Sequence, residues 1–258
     1  MSFERIRAVI RKEVREYRRN RFVVVTMAVL PLVFLITPMV TLFRVPDSAS
    51  GPEVKGAVGL LSMLMLIVPL VIPPVISAYS VVGERVQGTL EPVLTTPVRR
   101  EELLLGKAAA AFIPSVAIAY GIYIVAAVAI RVAAAPVVSD FVWHAPQMLA
   151  QFLFIPLLAA WAIWLGIGIS SRASDVRVAQ QLATLAGLPL LAFTSLISFQ
   201  IITPTVPLAI GLAVALLVID IAAWRVVSRM FDRELLITGT SAAPVVSRRS
   251  AARIGGVR

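Results

Sequence analysis

The chain of 258 residues has no cysteine and one histidine, His144. Without cysteine there are no disulfides, thiolate metal sites or thiol nucleophiles. A lone histidine excludes the paired-histidine sites of intramembrane metalloproteases. A Ser–His hydrolase using the GIS at Gly168 to Ser170 also fails. Ser170 is expected at one membrane face and His144 at the other, roughly 30 Å away, beyond hydrogen-bonding reach. No phosphate-binding loop is present. Gly106–Lys107 form a GK, but Glu101 stands five residues before that glycine and Ala108 follows the lysine. The chain is not expected to hydrolyse ATP itself.

Charge is also scarce. Only 15% of residues are charged and 59% are hydrophobic, with a mean hydropathy of +0.91, whereas a soluble domain carries about a quarter charged residues. The apolar residues fall in runs about as long as a helix needs to cross roughly 30 Å of hydrocarbon. Six runs are predicted as spans, at about 22–43, 56–82, 108–130, 147–170, 178–202 and 207–224. Internal prolines (Pro31, Pro38, Pro69, Pro73, Pro74, Pro114, Pro156, Pro189) point to bent helices in a packed bundle, where neighbours satisfy the freed carbonyls. The alternation needed for a membrane barrel is absent. The expected class is an all-α integral membrane protein.

Of the 24 lysines and arginines, 21 lie before the first run, after the second, between the fourth and fifth, or after the sixth. Only Arg44, Lys55 and Arg131 fall in the other loops. The positive-inside rule then places both termini in the cytoplasm of a cell bounded by this membrane. Topology and attraction to anionic lipid account for the basic excess, so no nucleic-acid partner is implied. Residues 1–21 read as an amphipathic helix on the cytoplasmic surface, with Phe3, Ile6, Ile10, Val14 and Tyr17 recurring at helical spacing. That region is too long and basic for a secretory signal. The segment 236–258, which includes TGTSAAPVVSRRSAARIGGVR, reads as a disordered basic tail.

One carboxylate, Asp220, falls within a span. It either pairs with Arg225 or Arg172, or serves as a proton or cation site in an ion-coupled carrier. Small residues at four-residue steps, Ala162, Gly166 and Ser170 and then Ala179, Ala183 and Gly187, allow close helix approach in lipid.

The polar stretch GERVQGTLEPVLTTPVRREELLLGK, Gly83 to Lys107, interrupts the second and third runs. Thr96 is a natural N-cap, Pro97 suits the first helical position, and Glu101 and Glu102 complement the helix N-terminus. Leu90, Val93 and Leu94 share a face in a second short element. The stretch reads as a folded knuckle able to dock a soluble partner.

This loop resembles the one after the second span in permease subunits of type-2 ATP-binding-cassette exporters. The likeness rests on Glu84–Arg85, Gly88 to Glu91 (GTLE), Thr96 to Val98 (TPV) and Gly106–Lys107. The resemblance implies a coupling segment, with Glu84, Arg85, Gly88, Thr89, Leu90, Glu91, Thr96, Pro97, Arg99, Arg100 and Glu101 engaging a separate cytoplasmic ABC ATPase. ATP and Mg would be bound by that partner, and no cofactor by this chain. It also implies a dimer with a second copy or paralogue, paired through the first and fifth spans near Ala179, Ala183 and Gly187. The bent second span would line an export pathway. Separately from the resemblance, the near-absence of fixed charge in the spans favours a lipophilic or amphiphilic cargo. Residues 44–55 are too few for the large outer domain of some sodium exporters. An ion-coupled carrier and a non-transport scaffold are the alternatives.

Overall fold

A computed structural model describes residues 2–78, 82–84, 99–203 and 205–230. Among them are eight helices: α1 (Phe3–Arg19), α2 (Arg21–Leu42), α3 (Gly51–Ala78), α4 (Arg100–Ala133), α5 (Pro136–Val142), α6 (Ala145–Ser170), α7 (Val176–Ser198) and α8 (Val206–Met230). All but α1 and α5 are long and apolar enough to cross a membrane. The tail expected over 236–258 lies outside the described residues.

Local chemistry sets the helix ends. Asn20 terminates α1, and its side chain accepts from the Phe22 and Val23 amides to cap α2, so one residue joins the two helices. Asp175 caps α7 by accepting from the Arg177 amide at 2.7 Å. The helix α4 is capped at Arg99 rather than at Thr96: Glu102 accepts from the Arg99 amide at 3.0 Å. The short α5 was not legible in the sequence, because seven residues carry too little periodicity to stand out.

The most buried span is α3. Around it α2 packs on α4, α4 on α6, and α6 on α7, while α8 lies against the far side of α6. The ring is open between α2 and α7. There α3 shows a half-exposed stripe of Leu60, Leu64, Ile67, Val71 and Val75 at helical spacing.

Close approach depends on small residues. A Cβ on Gly166 would lie 1.8 Å from Ser77 Oγ and 2.9 Å from its Cβ, so α6 and α3 meet backbone to side chain here. One proline position is satisfied by a neighbouring helix. Pro156 cannot donate to the Phe152 carbonyl four residues earlier, and the Tyr120 hydroxyl donates to that carbonyl at 2.7 Å.

Candidate functional site

The chemistry of the molecule concentrates where α1 crosses the start of α4. Helix α1 presents Val9, Glu13 and Tyr17 inward, and these are its buried residues. Of the apolar positions recurring at helical spacing, Tyr17 is buried and Ile10 and Val14 pack against the core, while Phe3 remains 78% exposed. The helix also turns the Glu13 carboxylate toward protein. The crossing is permitted by Gly106, where an added Cβ would come within 2.6 Å of Val9 Cγ1 and 2.7 Å of Val9 Cβ.

Next to that glycine, Lys107 is fully buried. Its Nζ lies 2.7 Å from Glu13 Oε1 and 2.9 Å from Glu84 Oε2. Lys12 pairs with the other oxygen of Glu84 and with Glu13 and Glu16, the last at 3.3 Å. The Tyr17 hydroxyl donates to Glu13 Oε2 at 3.2 Å. Buried charges are tolerable only when paired and hydrogen-bonded in this way. Burial alone would raise the Glu13 pKa, but Lys107 and then Lys12 outweigh it and hold the carboxyl below its ordinary value. Burial would lower that of Lys12, and Glu13 and Glu84 reverse this and raise it. Burial, reinforced by Glu13, keeps the Tyr17 phenol well above its usual pKa. The carboxylates of Glu13, Glu16 and Glu84 are spaced as a metal site would need. Two ammonium groups already sit on these oxygens, Lys107 on Glu13 and Glu84 and Lys12 on all three carboxylates, so a single negative charge is left over.

A second tie lies one helical turn away. Glu102 accepts from the Ser2 amide at 2.7 Å and lies 3.6 Å from an Arg5 guanidinium nitrogen. Within the polar stretch, Glu84 precedes and Glu102 follows residues 85–98, which lie outside the described residues, and both glutamates are fastened to α1.

Of the residues named from the sequence, the structure brings Glu84 into this cluster. It places Arg99 and Glu101, both exposed, with Arg100 at the start of α4. Arg85, Gly88, Thr89, Leu90, Glu91, Thr96 and Pro97 lie outside the described residues. Lys12, Glu13 and Lys107 were not singled out as interacting partners. The available signal was a lysine at the start of an apolar run, together with carboxylates in an arginine-rich helix.

Ala179 and Ala183 are buried inside the chain, and Gly187 approaches Leu70 of α3. This small-residue stripe packs within the chain. The exposed face of α7 is instead Leu182, Leu185, Leu188 and Phe193. Asp220 is buried, but among the described residues neither carboxylate oxygen has a hydrogen-bond partner, and neither Arg225 nor Arg172 pairs with it. The Trp164–Trp224 ring contact sets the register of α6 and α8. Asp220 lies about one turn from that contact on α8, and Trp161 about one turn from it on α6. The Trp161 indole nitrogen is also buried without a hydrogen-bond partner among the described residues.

A family model described as ABC-2 type transporter matches residues 4–216, which include α1, the ion cluster and the first five spans. The chain belongs to the ABC-2 type transporter family. It is thus a multi-pass membrane permease component and not itself an ATPase, and the family works generally with a cytoplasmic ABC ATPase. A search of curated proteins found no match.

Proposed function

We propose that this chain is the membrane-spanning subunit of an ATP-driven exporter, and that its polar segment between α3 and α4 docks a cytoplasmic ABC ATPase carrying ATP and Mg. The single observation that carries the reading is the double fastening of that segment. Glu84 on one flank, and Glu102 and Lys107 beyond the other, are tied to α1, and α1 continues through Asn20 into α2. A push on the segment from Gly88 to Glu102 therefore reaches the first and third spans together rather than being lost in a flexible tether. The basic end faces the cytoplasm, as the arginine distribution requires.

A second copy or a paralogue closes the open side of the ring, with the exposed faces of α2 and α7 as the pairing surface. The stripe of α3 between them is apolar throughout, which favours a lipophilic or amphiphilic cargo. Because the chain lacks cysteine, single introduced thiols give unambiguous topology and docking data. Leu90→Cys should crosslink to a co-purified ATPase. Thr96→Cys should be protected from impermeant thiol reagents in intact cells, and Ser48→Cys should be labelled. Labelling of Thr96→Cys from outside would overturn the orientation, and docking with it.

A second reading rests on Asp220, a buried carboxylate without a partner among the described residues. In an ion-coupled carrier, Asp220→Asn would abolish gradient-driven transport in ATP-free vesicles. In the exporter it would leave ATP-driven transport running.

A further inference from the structure

Helix α1 has two faces of opposite electrostatic character. On one, Lys12 is committed to Glu13, Glu16 and Glu84. On the other, Arg7, Arg11 and Arg18 recur with Val14 at three- and four-residue steps. All three arginines are exposed, and among the described residues none has a carboxylate partner. Beside this second face lies a groove of about 580 Å³ between α1, α2 and α4. Apart from Arg18 at its rim its wall is apolar, with Val14 and the Tyr17 ring on one side, Ala28 on the second, and Ala110 and Pro114 on the third. The small side chains of Ala28 and Ala110 leave the hollow open. Tyr17 directs its hydroxyl away, to Glu13.

An apolar hollow beginning in the first two turns of the first span, with the Arg18 guanidinium at its rim and two more arginines further along the same face of α1, matches a molecule that has a hydrocarbon tail and an anionic head. We infer that this groove holds one acyl chain of an anionic glycerophospholipid, whose phosphate is bound by Arg18 at the rim, with Arg11 and Arg7 adding positive potential along the same face of α1. A second copy of the chain is a poorer occupant. The protein carries a net charge of +10, and the same end of a copy would bring further arginines against these. A zwitterionic lipid fits the hollow but gains less from three guanidiniums, each of which is worth about 1 kcal/mol toward an anionic surface. The bound chain would wedge α1 against the first and third spans, on the side opposite the ion cluster.

The test uses the full chain in phosphatidylcholine nanodiscs doped with a phosphatidylglycerol bearing a diazirine on one acyl chain. Irradiation and peptide mapping should place adducts mainly on 24–28 and 110–118, well above the exposed face of α8 at Val214, Val218 and Ile221. Unlabelled phosphatidylglycerol should compete and phosphatidylcholine should not. Each of Arg7→Gln, Arg11→Gln and Arg18→Gln should weaken labelling about fivefold, and these exposed changes should leave the helical circular dichroism unaltered. Ala28→Phe should exclude the chain while the arginines remain. Even labelling of all lipid-facing helices, equal competition by phosphatidylcholine, or crosslinks showing a second copy seated over Ala28 and Ala110 would each overturn the assignment.

Discussion

Lys107→Met removes one ammonium from the ion cluster and keeps much of the side-chain volume. Lys107 touches both Glu13 and Glu84, so its loss leaves two carboxylates, each about 4% exposed or less, facing one another with Lys12 alone between them. Removing one partner from a buried ion pair costs about 3–5 kcal/mol. Lys12 is only partly buried and can turn toward the vacancy, so the lower end applies. About 3 kcal/mol is roughly a hundredfold in an equilibrium constant. The cost falls on the contact between α1 and α4, since that is where the pair acts. Hydrogen exchange of the protein in nanodiscs should show the amides from Val9 to Tyr17 losing about a hundredfold in protection, with α6 and α8 unchanged. Lys107→Met combined with Glu13→Leu leaves Lys12 opposite Glu84 and should recover most of the protection, because balanced or apolar replacements of a buried pair are nearly neutral. Unchanged protection of α1 in the single variant would refute the assignment of Lys107 as the tie. So would a double variant worse than the single.

The remaining expectations use the same logic. Gly106→Ala gains about 1 kcal/mol of helix propensity but drives a Cβ to 2.7 Å from the Val9 Cβ. The clash should dominate at about 1–3 kcal/mol, loosening α1, and Val9→Gly should relieve it. Tyr120→Phe should cost about 1–2 kcal/mol by orphaning the Phe152 carbonyl in lipid, read as a lower midpoint in thermal unfolding. In a Pro156→Ala background the helix supplies its own donor, and the same change should be nearly silent. Docking of α1 should be flat across mid-range pH. The lowered pKa of Glu13 gives a contribution fully present above its ordinary 4.5 and lost as pH falls through the folded value. The raised pKa of Lys12 gives one present below 10.5 and lost as pH rises through the folded value. Exchange of α1 at pH 5.5 and 8.5, corrected for intrinsic rate, should therefore agree. Charge reversal at Arg99 and Arg100 should abolish association with the ATPase while leaving the six spans folded, as judged by co-purification and circular dichroism.

The six spans were legible because each is a continuous apolar run, a signal carried by neighbours in sequence. The amphipathic character of α1 was legible for the same reason. Its rotation was not, because the burial of Glu13 depends on Lys107, which lies 94 residues away. Helix periodicity treats every carboxylate as solvent-seeking, and only the fold reveals that a lysine at the start of the third span reaches back to this one. The stripe of Ala179, Ala183 and Gly187 shows the opposite limit. Small residues at four-residue steps mark close packing, but not whether the neighbour is α3 of the same chain or a helix of another. The family motif, in turn, flagged Gly106 and Lys107 without their role. The structure supplies it, since the glycine admits α1 and the lysine holds it.

The central claim is tested most directly by purifying the tagged chain from its native host in mild detergent and assaying the eluate for ATP hydrolysis. A soluble ATPase should co-purify in stoichiometric amount. It should be lost when Gly88 to Glu102 is scrambled in a chain that still inserts. Clean recovery of the intact chain without ATPase activity, or an ATPase retained by the scrambled variant, would contradict the docking of an ATPase at this segment.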